Sequence, residues 1–319
     1  MLIQPIAVSR PAAAQDCPSK PTRMIVPYQT STVSGLVDRL LASHMSKDLG
    51  QPITVENIPA AGGIVGKQQF VQAPKDGYTI AILNNGHAIN PSVNQDPVFD
   101  TRKDMEPINS LGSSPQVLDA GPALPTKDVK ELLELARTKK RDATYGSMGN
   151  GTIVHLKGEM LTQEGDMELK HGPNSSAAQM MADVIGGQID IAFMGVATAA
   201  ARVEGGKMRA LAVTTRQRSS LMPNVPTLVE QCLPNYQFDD RMVLAALAGP
   251  PRVIVNRLNA ELKAELAQKD VQEAMTKIGV TTTSSIPEQT AQFFRTELER
   301  HSLLAKRGGA TLGGTGHAT

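Results

Sequence analysis

The sequence has no tryptophan and few other aromatic residues, and this scarcity limits what the protein can bind. Aromatic residues make up 3% of the 319 residues, as 4 Tyr and 6 Phe. The chain therefore has few rings on which nucleic-acid bases could stack, and a net charge of +1 provides no field that attracts a polyanion. We expect no nucleic-acid partner. The core must be built from aliphatic residues and from the 14 Met.

Cysteine and long apolar runs are scarce as well. Cys17 and Cys232 are the only cysteines, so they form at most one disulfide, and the sequence leaves open whether they pair or remain thiols. No run reaches the ~18 uncharged apolar residues that a membrane-spanning helix needs. We expect a globular protein that is long enough for two domains.

The first 17 residues are interpreted as the remnant of an export leader. Residues 11–15 have the small side chains typical of a secretory cleavage site, with cleavage after Ala14. The preceding ten residues lack a basic start and a long apolar stretch, so the leader is atypical or truncated. At the other end, residues 307–319 are rich in glycine and poor in apolar residues, which predicts a disordered tail.

Short runs with β-strand character alternate with segments of helical periodicity, a pattern that predicts an α/β fold. The pattern occurs twice, and the last two helices are expected to return to the first half, because three strands alone make a thin domain. We predict two Rossmann-like α/β domains joined by a hinge, residues 18–119 with 240–306 and residues 120–239. The expected strands are 23–28, 53–58, 78–83, 143–147, 167–171, 189–194, 208–214 and 242–248, and the expected helices include 36–49, one capped by Thr126, 253–268 and 287–306.

Three loops rich in Gly, Ser, Thr and Asn each follow a predicted strand and lead towards a helix. They are residues 28–35, 84–91 and 145–152. In open α/β sheets ligands bind beyond the carboxyl ends of the strands, and loop amides beside a helix N-terminus suit an anion. Any one loop is explained equally well by turns and helix caps. Three loops in corresponding positions favour a binding site.

The sequence offers little for catalysis or for a metal. The third loop has the spacing G-x-x-G-x-G, which matches neither the dinucleotide fingerprint nor the Walker loop. The six His form no H-E-x-x-H or H-x-H pair, so we expect no metal and no cofactor. There is no G-x-S-x-G elbow, and the loop serines have no evident base, so we expect no enzyme. Asp190, inside an apolar strand, is interpreted as hydrogen-bonded structure.

Further motifs run along the chain in a fixed order, over about residues 18 to 305. They are PSKPTRMIVP at 18–27, VEN with GG and G at 55–66, DGYT at 76–79, HAINP at 87–91, YGS-x-GNG with His155, GGQID at 186–190, GKMRALAVT at 206–214, PNVPT at 223–227 and RLNAEL at 257–262. In these motifs the sequence resembles the Bug-type solute-binding proteins, the periplasmic receptors of tripartite tricarboxylate transporters.

The resemblance implies a periplasmic-binding-protein fold of type II, with two domains that close on a small carboxylate. It also implies a periplasmic location, a monomer, and as partners the permease subunits of a tripartite transporter, or a signalling partner in their place. Amides and hydroxyls of the first loop would hold one carboxylate, and the other loops would complete the pocket. The implied ligand-binding residues are Tyr28, Thr30, Ser31, Thr32, Ser34, Asn85, Gly86, His87, Ala88, Ser147, Asn150, Thr152, His171, Ser175 and Ser176.

The sequence departs from the family pattern where the ligand is expected. The family's first loop usually reads P-P-G-G-x-T-D, whereas residues 30–35 lack both flexible glycines and place Gly35 at the customary Asp. Residues 173–176 lack the aromatic and the cation of the family's P-Y-K/R-G, and Met194-Gly195 replaces Asp-Asn or Asp-Ser. Two alternatives stay open: a diverged paralogue without a transport role, and an enzyme with a nucleophile–base pair in the cleft.

Overall fold

The structure is a computed structural model that describes residues 18–30, 32–59, 63–87, 99–138, 141–150, 152–236, 238 and 240–307. Two predicted site residues, Ser31 and Ala88, lie outside the described residues, as do the predicted leader and most of the predicted tail. Cys232 is exposed and carries a free thiol. Within the described ranges, no helix combines the length and the apolar character that crossing a membrane requires.

The described chain folds into strands and helices that alternate along most of its length. In order they are β1 (Thr22–Val26), α1 (Val33–Asp48), β2 (Ile53–Asn57), α2 (Ile64–Val71), β3 (Thr79–Leu83), α3 (Thr101–Asp104), β4 (Met105–Ser114), β5 (Gln116–Ala120), α4 (Val129–Arg137), β6 (Thr144–Ser147), α5 (Ile153–Gly165), β7 (Lys170–Pro173), α6 (Ala177–Ile185), β8 (Ile191–Gly195), α7 (Val196–Glu204), β9 (Arg209–Val213), β10 (Asp240–Leu247), α8 (Arg252–Ala267), α9 (Lys269–Lys277), β11 (Thr281–Thr282) and α10 (Pro287–Arg307).

Two sheets organise these elements, which confirms the predicted α/β class. The first lobe contains a six-stranded sheet in the order β11-β4-β10-β3-β1-β2, together with helices α1–α3 and α8–α10. The second lobe contains a five-stranded sheet in the order β7-β6-β8-β5-β9, together with α4–α7. Strand β1 runs parallel to β2 and β3, whereas β10 runs antiparallel between β3 and β4. The late return of the chain to the first sheet agrees with the expectation that three strands are too few.

The chain passes between the lobes twice. It leaves the first sheet after β4 and enters the second at β5, with Pro115 between the two strands. Strand β5 belongs to the second sheet because it pairs antiparallel with β8 and β9. The first crossing thus precedes the predicted limit at residue 119. The second crossing lies immediately before Asp240, at the start of β10. The predicted domain limits themselves stay a prediction.

Strand β1 shows how the cores are divided. Successive strand residues point to opposite faces. Met24 packs in one cluster with Leu262 of α8, whereas Ile25 packs in another with Phe294 of α10. The first sheet is therefore covered on both faces, as expected for its buried parallel strands. The second lobe has a separate core that contains Phe193 of β8.

Several local predictions need correction. Asp128 caps α4, because its Oδ1 accepts a hydrogen bond from Glu131 N at 2.8 Å, whereas Thr126 had been expected to cap. Strand β7 begins at Lys170 and not at residue 167. Strands β4, β5 and β11 and helices α2, α3 and α9 are absent from the prediction. Asp190 agrees with its interpretation, since Oδ2 accepts from Thr144 N at 2.9 Å.

Candidate functional site

The first and second loops are joined through Tyr28, which follows β1. Its hydroxyl donates a hydrogen bond to Asn84 Oδ1 at 2.6 Å and accepts one from Asn84 N at 3.1 Å. The main-chain oxygen of Tyr28 accepts from Asn57 Nδ2 at 3.1 Å. Burial raises the pKa of the Tyr28 phenol, so the hydroxyl stays protonated and continues to donate. The ends of β1, β2 and β3 are thereby tied together at one edge of the first sheet.

The first loop folds back over the start of α1. Thr32 is the N-cap, since its Oγ1 accepts from Gly35 N at 3.2 Å and donates to Gln29 O at 2.7 Å. A Cβ atom at Gly35 would lie 2.4 Å from Gln29 O, closer than side chains approach a backbone oxygen. Glycine at this position is thus required by the shape of the loop. The departure from the family's Asp therefore has a structural reason.

The remaining predicted residues of the first loop differ in exposure. The side chains of Thr30 and Thr32 are exposed at the carboxyl end of the first sheet, where a ligand can reach them. Ser34 is buried in the first turn of α1. Little of Ser34 is therefore open to a ligand.

In the second loop, the side chains of Asn85 and His87 are turned into the first lobe. Asn85 Nδ2 donates to Glu297 Oε2 of α10 at 3.1 Å, and Asn85 Oδ1 accepts from Arg241 N of β10 at 3.3 Å. The ring of His87 lies 4.0 Å from that of Phe294, centroid to centroid. Both residues are fully buried. They fix the loop against the lobe, and the structure does not bring them to its surface.

Gly86 brings the second loop against the second lobe. A Cβ atom there would lie 3.7 Å from Cδ1 of Ile153, which is the first residue of α5, and 3.7 Å from Nζ of Lys67 on α2. The second and third loops therefore face each other across a narrow gap between the lobes. This gap, lined by the first loop, by Gly86 and by the third loop, is called the cleft below.

Ser147 is the central hydroxyl on the second side of the cleft. It ends β6, and its Oγ lies 2.6 Å from His171 Nε2 and accepts from Gly149 N at 3.0 Å. Gly149 has a φ of 108°, a backbone conformation that favours glycine. Thr152 then caps α5, since its Oγ1 accepts from His155 N at 3.3 Å. The third loop thus presents hydroxyls and amides that are already oriented.

Three aromatic rings pack on one another beside Ser147, which contacts one of them, His171. We call them the ring cluster: Tyr145, His155 and His171. The centroid of His171 lies 4.3 Å from that of His155 and 5.0 Å from that of Tyr145. Tyr145 donates to Glu159 Oε1 at 2.5 Å. Burial and the neighbouring His155 lower the pKa of His171 to about 4, and burial also lowers that of His155. At neutral pH the two imidazoles are hydrogen-bonding groups without charge.

Ser147 lies beside an imidazole, that of His171, although the sequence shows no evident base near the loop serines. The two residues are distant in sequence and become neighbours because β6 and β7 are parallel, with Tyr145 opposite His171 in the register. Each is a candidate from its position in or beside a loop and from the family resemblance. No sequence motif indicates their contact, because it depends on strand pairing.

The other predicted residues of the second lobe lie at the carboxyl ends of β6 and β7. Asn150 and Ser175 have exposed side chains. Ser176 is exposed too, but its Oγ accepts from Gln179 N at 3.2 Å and so caps α6. All of them lie at the same edge of the sheet as Ser147.

Comparisons with known proteins place the chain among solute receptors. Residues 37–309 match the model of the tripartite tricarboxylate transporter family receptor. A UPF0065 protein from the tcbD-tcbE intergenic region of Pseudomonas sp. (strain P51) is 30% identical over 284 residues, covering 89% of this chain and 84% of the relative.

Solved structures of similar proteins share the fold over nearly the whole length. The periplasmic binding protein BugD is 28% identical, with a TM-score of 0.79, over 92% of this chain and 99% of BugD. The R. palustris protein Rpa4515, solved with adipate, is 26% identical, with a TM-score of 0.82, over 93% of this chain and 100% of that protein. The similarity extends over both lobes.

Proposed function

Because this chain belongs to the tripartite tricarboxylate transporter receptor family, we propose that it is a solute-binding receptor that captures a small organic di- or tricarboxylate in the cleft. The observation that carries the proposal is the set of exposed polar side chains beside the cleft, Thr30 and Thr32 after β1 and Asn150 in the third loop, with the buried Ser147 holding the third loop through Gly149 N. Residues 28–35, 84–87 and 145–152 contain no acidic side chain, so nothing in these segments repels an anion. The adipate bound to Rpa4515 supports this ligand class.

The pair of Ser147 and His171 makes a hydrolase the second candidate, and two features favour the receptor. A general base works best when its pKa lies near the working pH, and the pKa of His171 is lowered to about 4. Ser147 is fully buried, and its Oγ is already engaged by Gly149 N. We therefore assign to this pair the role of a fixed hydrogen-bonding unit that orders the third loop, and no catalytic role.

The remaining parts of the proposal concern location and partners. Family membership and the similarity to the periplasmic protein BugD support a periplasmic receptor that delivers its ligand to permease subunits. A tagged chain from the native host should appear in the periplasmic fraction. Recovery in the cytoplasm would favour the diverged paralogue without a transport role.

The ligand class can be tested with purified protein by isothermal titration calorimetry. A panel of mono-, di- and tricarboxylates should contain at least one binder, and Ser147→Ala should weaken it by about tenfold, because the third loop loses the hydrogen bond that orders Gly149 N. The matched control is Ser219→Ala, another buried serine of the second lobe, whose Oγ accepts from Leu221 N at 3.3 Å. A panel without any binder would refute the receptor, and ester hydrolysis lost in Ser147→Ala would establish the hydrolase.

A further inference from the structure

Lys67 on α2 is buried although nothing in the described part of the structure pairs with it. Its exposed fraction is 1%, and its Nζ makes no hydrogen bond there. Burial of an ammonium group without a partner costs free energy, since the charge loses its hydration. Accordingly, burial lowers the pKa of Lys67 to about 7. A structural role would call for an acceptor, which the described residues do not supply.

The surroundings of Lys67 place its ammonium group beside the cleft. A Cβ atom at Gly86 would lie 3.7 Å from Lys67 Nζ and 3.7 Å from Ile153 Cδ1 of the second lobe. The distance between Lys67 Nζ and Ile153 Cδ1 is therefore at most twice 3.7 Å. On another side the ring of Phe99 lies 5.7 Å from Nζ. The ammonium therefore lies on the side of Gly86 that faces the second lobe, where the second loop approaches α5.

We propose that Lys67 binds the second carboxylate of a dicarboxylate held in the cleft. This inference rests on the proposed function: the loops hold the first carboxylate, and Lys67 supplies the counter-charge for the far end of the ligand. A buried cation is poorly hydrated before the ligand arrives, so a carboxylate gains a strong charge-assisted hydrogen bond there. An uncharged end would leave the ammonium without a partner, so the site selects dicarboxylates over monocarboxylates of equal length.

The test compares two ligands of six carbons, adipate and hexanoate, on wild type and Lys67→Met by calorimetry. Wild type should bind adipate roughly tenfold to a hundredfold more tightly than hexanoate, the range for a hydrogen bond to a charged group. In Lys67→Met the two affinities should become nearly equal, and Lys67→Arg should keep part of the preference. Lys75→Met, which removes an exposed lysine, controls for net charge and should change nothing.

Unfolding of the ligand-free protein gives a second measurement that separates this role from a structural one. Methionine has a similar length and no charge, so Lys67→Met should raise the thermal midpoint, whereas loss of a structural cation would lower it. A preference for adipate retained in Lys67→Met, or a lowered midpoint, would overturn the role of Lys67 and leave the receptor intact. A wild type that binds no carboxylate at all would overturn both.

Discussion

Lys157 Nζ on α5 lies 2.8 Å from Asp240 Oδ2, at the point where the chain returns to the first sheet. The lysine is almost fully buried, with its side chain 1% exposed, and the aspartate side chain is 18% exposed. Lys157 also lies above the ring of Phe238, 4.9 Å from its centroid, and its main-chain oxygen accepts from Tyr236 Oη at 3.1 Å. The second crossing is therefore bound to α5, the helix that follows the third loop.

We predict that Lys157→Met lowers the free energy of unfolding by about 3 kcal/mol, because removing one partner leaves a buried charge without compensation. Urea denaturation measures this change. The control is Lys170→Met, since the pair of Lys170 with Asp142 is exposed at 68% and 69%. That variant should lose less than ~1 kcal/mol. Equal losses in the two variants would show that the Lys157 pair contributes no more than a surface pair.

Gly35 provides a test of the first loop. Gly35→Ala places a Cβ within 2.4 Å of Gln29 O, so the loop must shift, at a cost of about 1–3 kcal/mol of stability. Ligand binding should weaken as well, because Gln29 O and Thr32 move together. On the same variant, calorimetry measures ligand binding and urea denaturation measures stability.

Gly205→Ala is the matched control for Gly35→Ala. It introduces a methyl group whose nearest neighbour, Ala201 O, lies at 3.4 Å. Its φ of −74° suits any residue. If the two variants behaved alike, the close approach at Gly35 would not limit the loop.

The contrast between β1 and β4 shows what the sequence can and cannot predict. Strand β1 ends in the apolar run Met24–Val26, and the prediction lies within two residues of its limits. Strand β4 was missed because Asn109 and Ser110, both buried, break its apolar pattern. They are tolerated there because partners distant in sequence satisfy them, for example Thr283 Oγ1 at 2.9 Å from Ser110 Oγ. The local pattern of apolar and polar residues gives no information about hydrogen-bond partners that are distant in sequence.

The same limit applies to the candidate site. The loops were predicted from their composition and their position after strands, which depend on local sequence. The inward turn of Asn85 was not predictable, because it follows from Glu297 on α10, 212 residues away. Lys67 has no signal in the sequence, since a lysine in a helix is normally exposed and only tertiary packing buries this one.

Three carboxyl side chains lie close together between α1 and α8, and they predict that the stability of the protein depends on pH. Oxygens of Asp48, Glu261 and Glu265 lie within 4.8 Å of one another. His44 Nδ1 is 3.3 Å from Glu265 Oε2. Burial first, and then the neighbouring Asp48, raise the pKa of Glu265 to about 7. Folding thus favours the protonated form of this carboxyl.

The stability that protonated Glu265 contributes is complete below the unfolded pKa of about 4.3 and is lost as pH rises through about 7. Glu265→Gln should therefore match wild type near pH 4 and exceed it in free energy of unfolding at pH 8. Urea denaturation across this range measures the difference. Glu273→Gln, on the exposed surface of α9, should follow wild type throughout. Parallel curves for Glu265→Gln and wild type would contradict the raised pKa.

His171 should titrate far below an ordinary histidine. Its pKa is lowered to about 4, first by burial and then by His155, so its imidazole signals in NMR should remain those of the neutral ring down to about pH 5. In His155→Asn the pKa of His171 should rise, because one positive neighbour is removed.

The lowered pKa of His171 also makes the stability of the protein depend on pH. The stability that the neutral imidazole contributes is complete above the pKa of about 6.5 in the unfolded chain, and it is lost as the pH falls from there towards 4. His171→Gln should accordingly remove part of the acid destabilisation between those values. A titration of His171 near pH 6.5 would show instead that the ring cluster is open to water, and the uncharged pair of Ser147 and His171 would lose its basis.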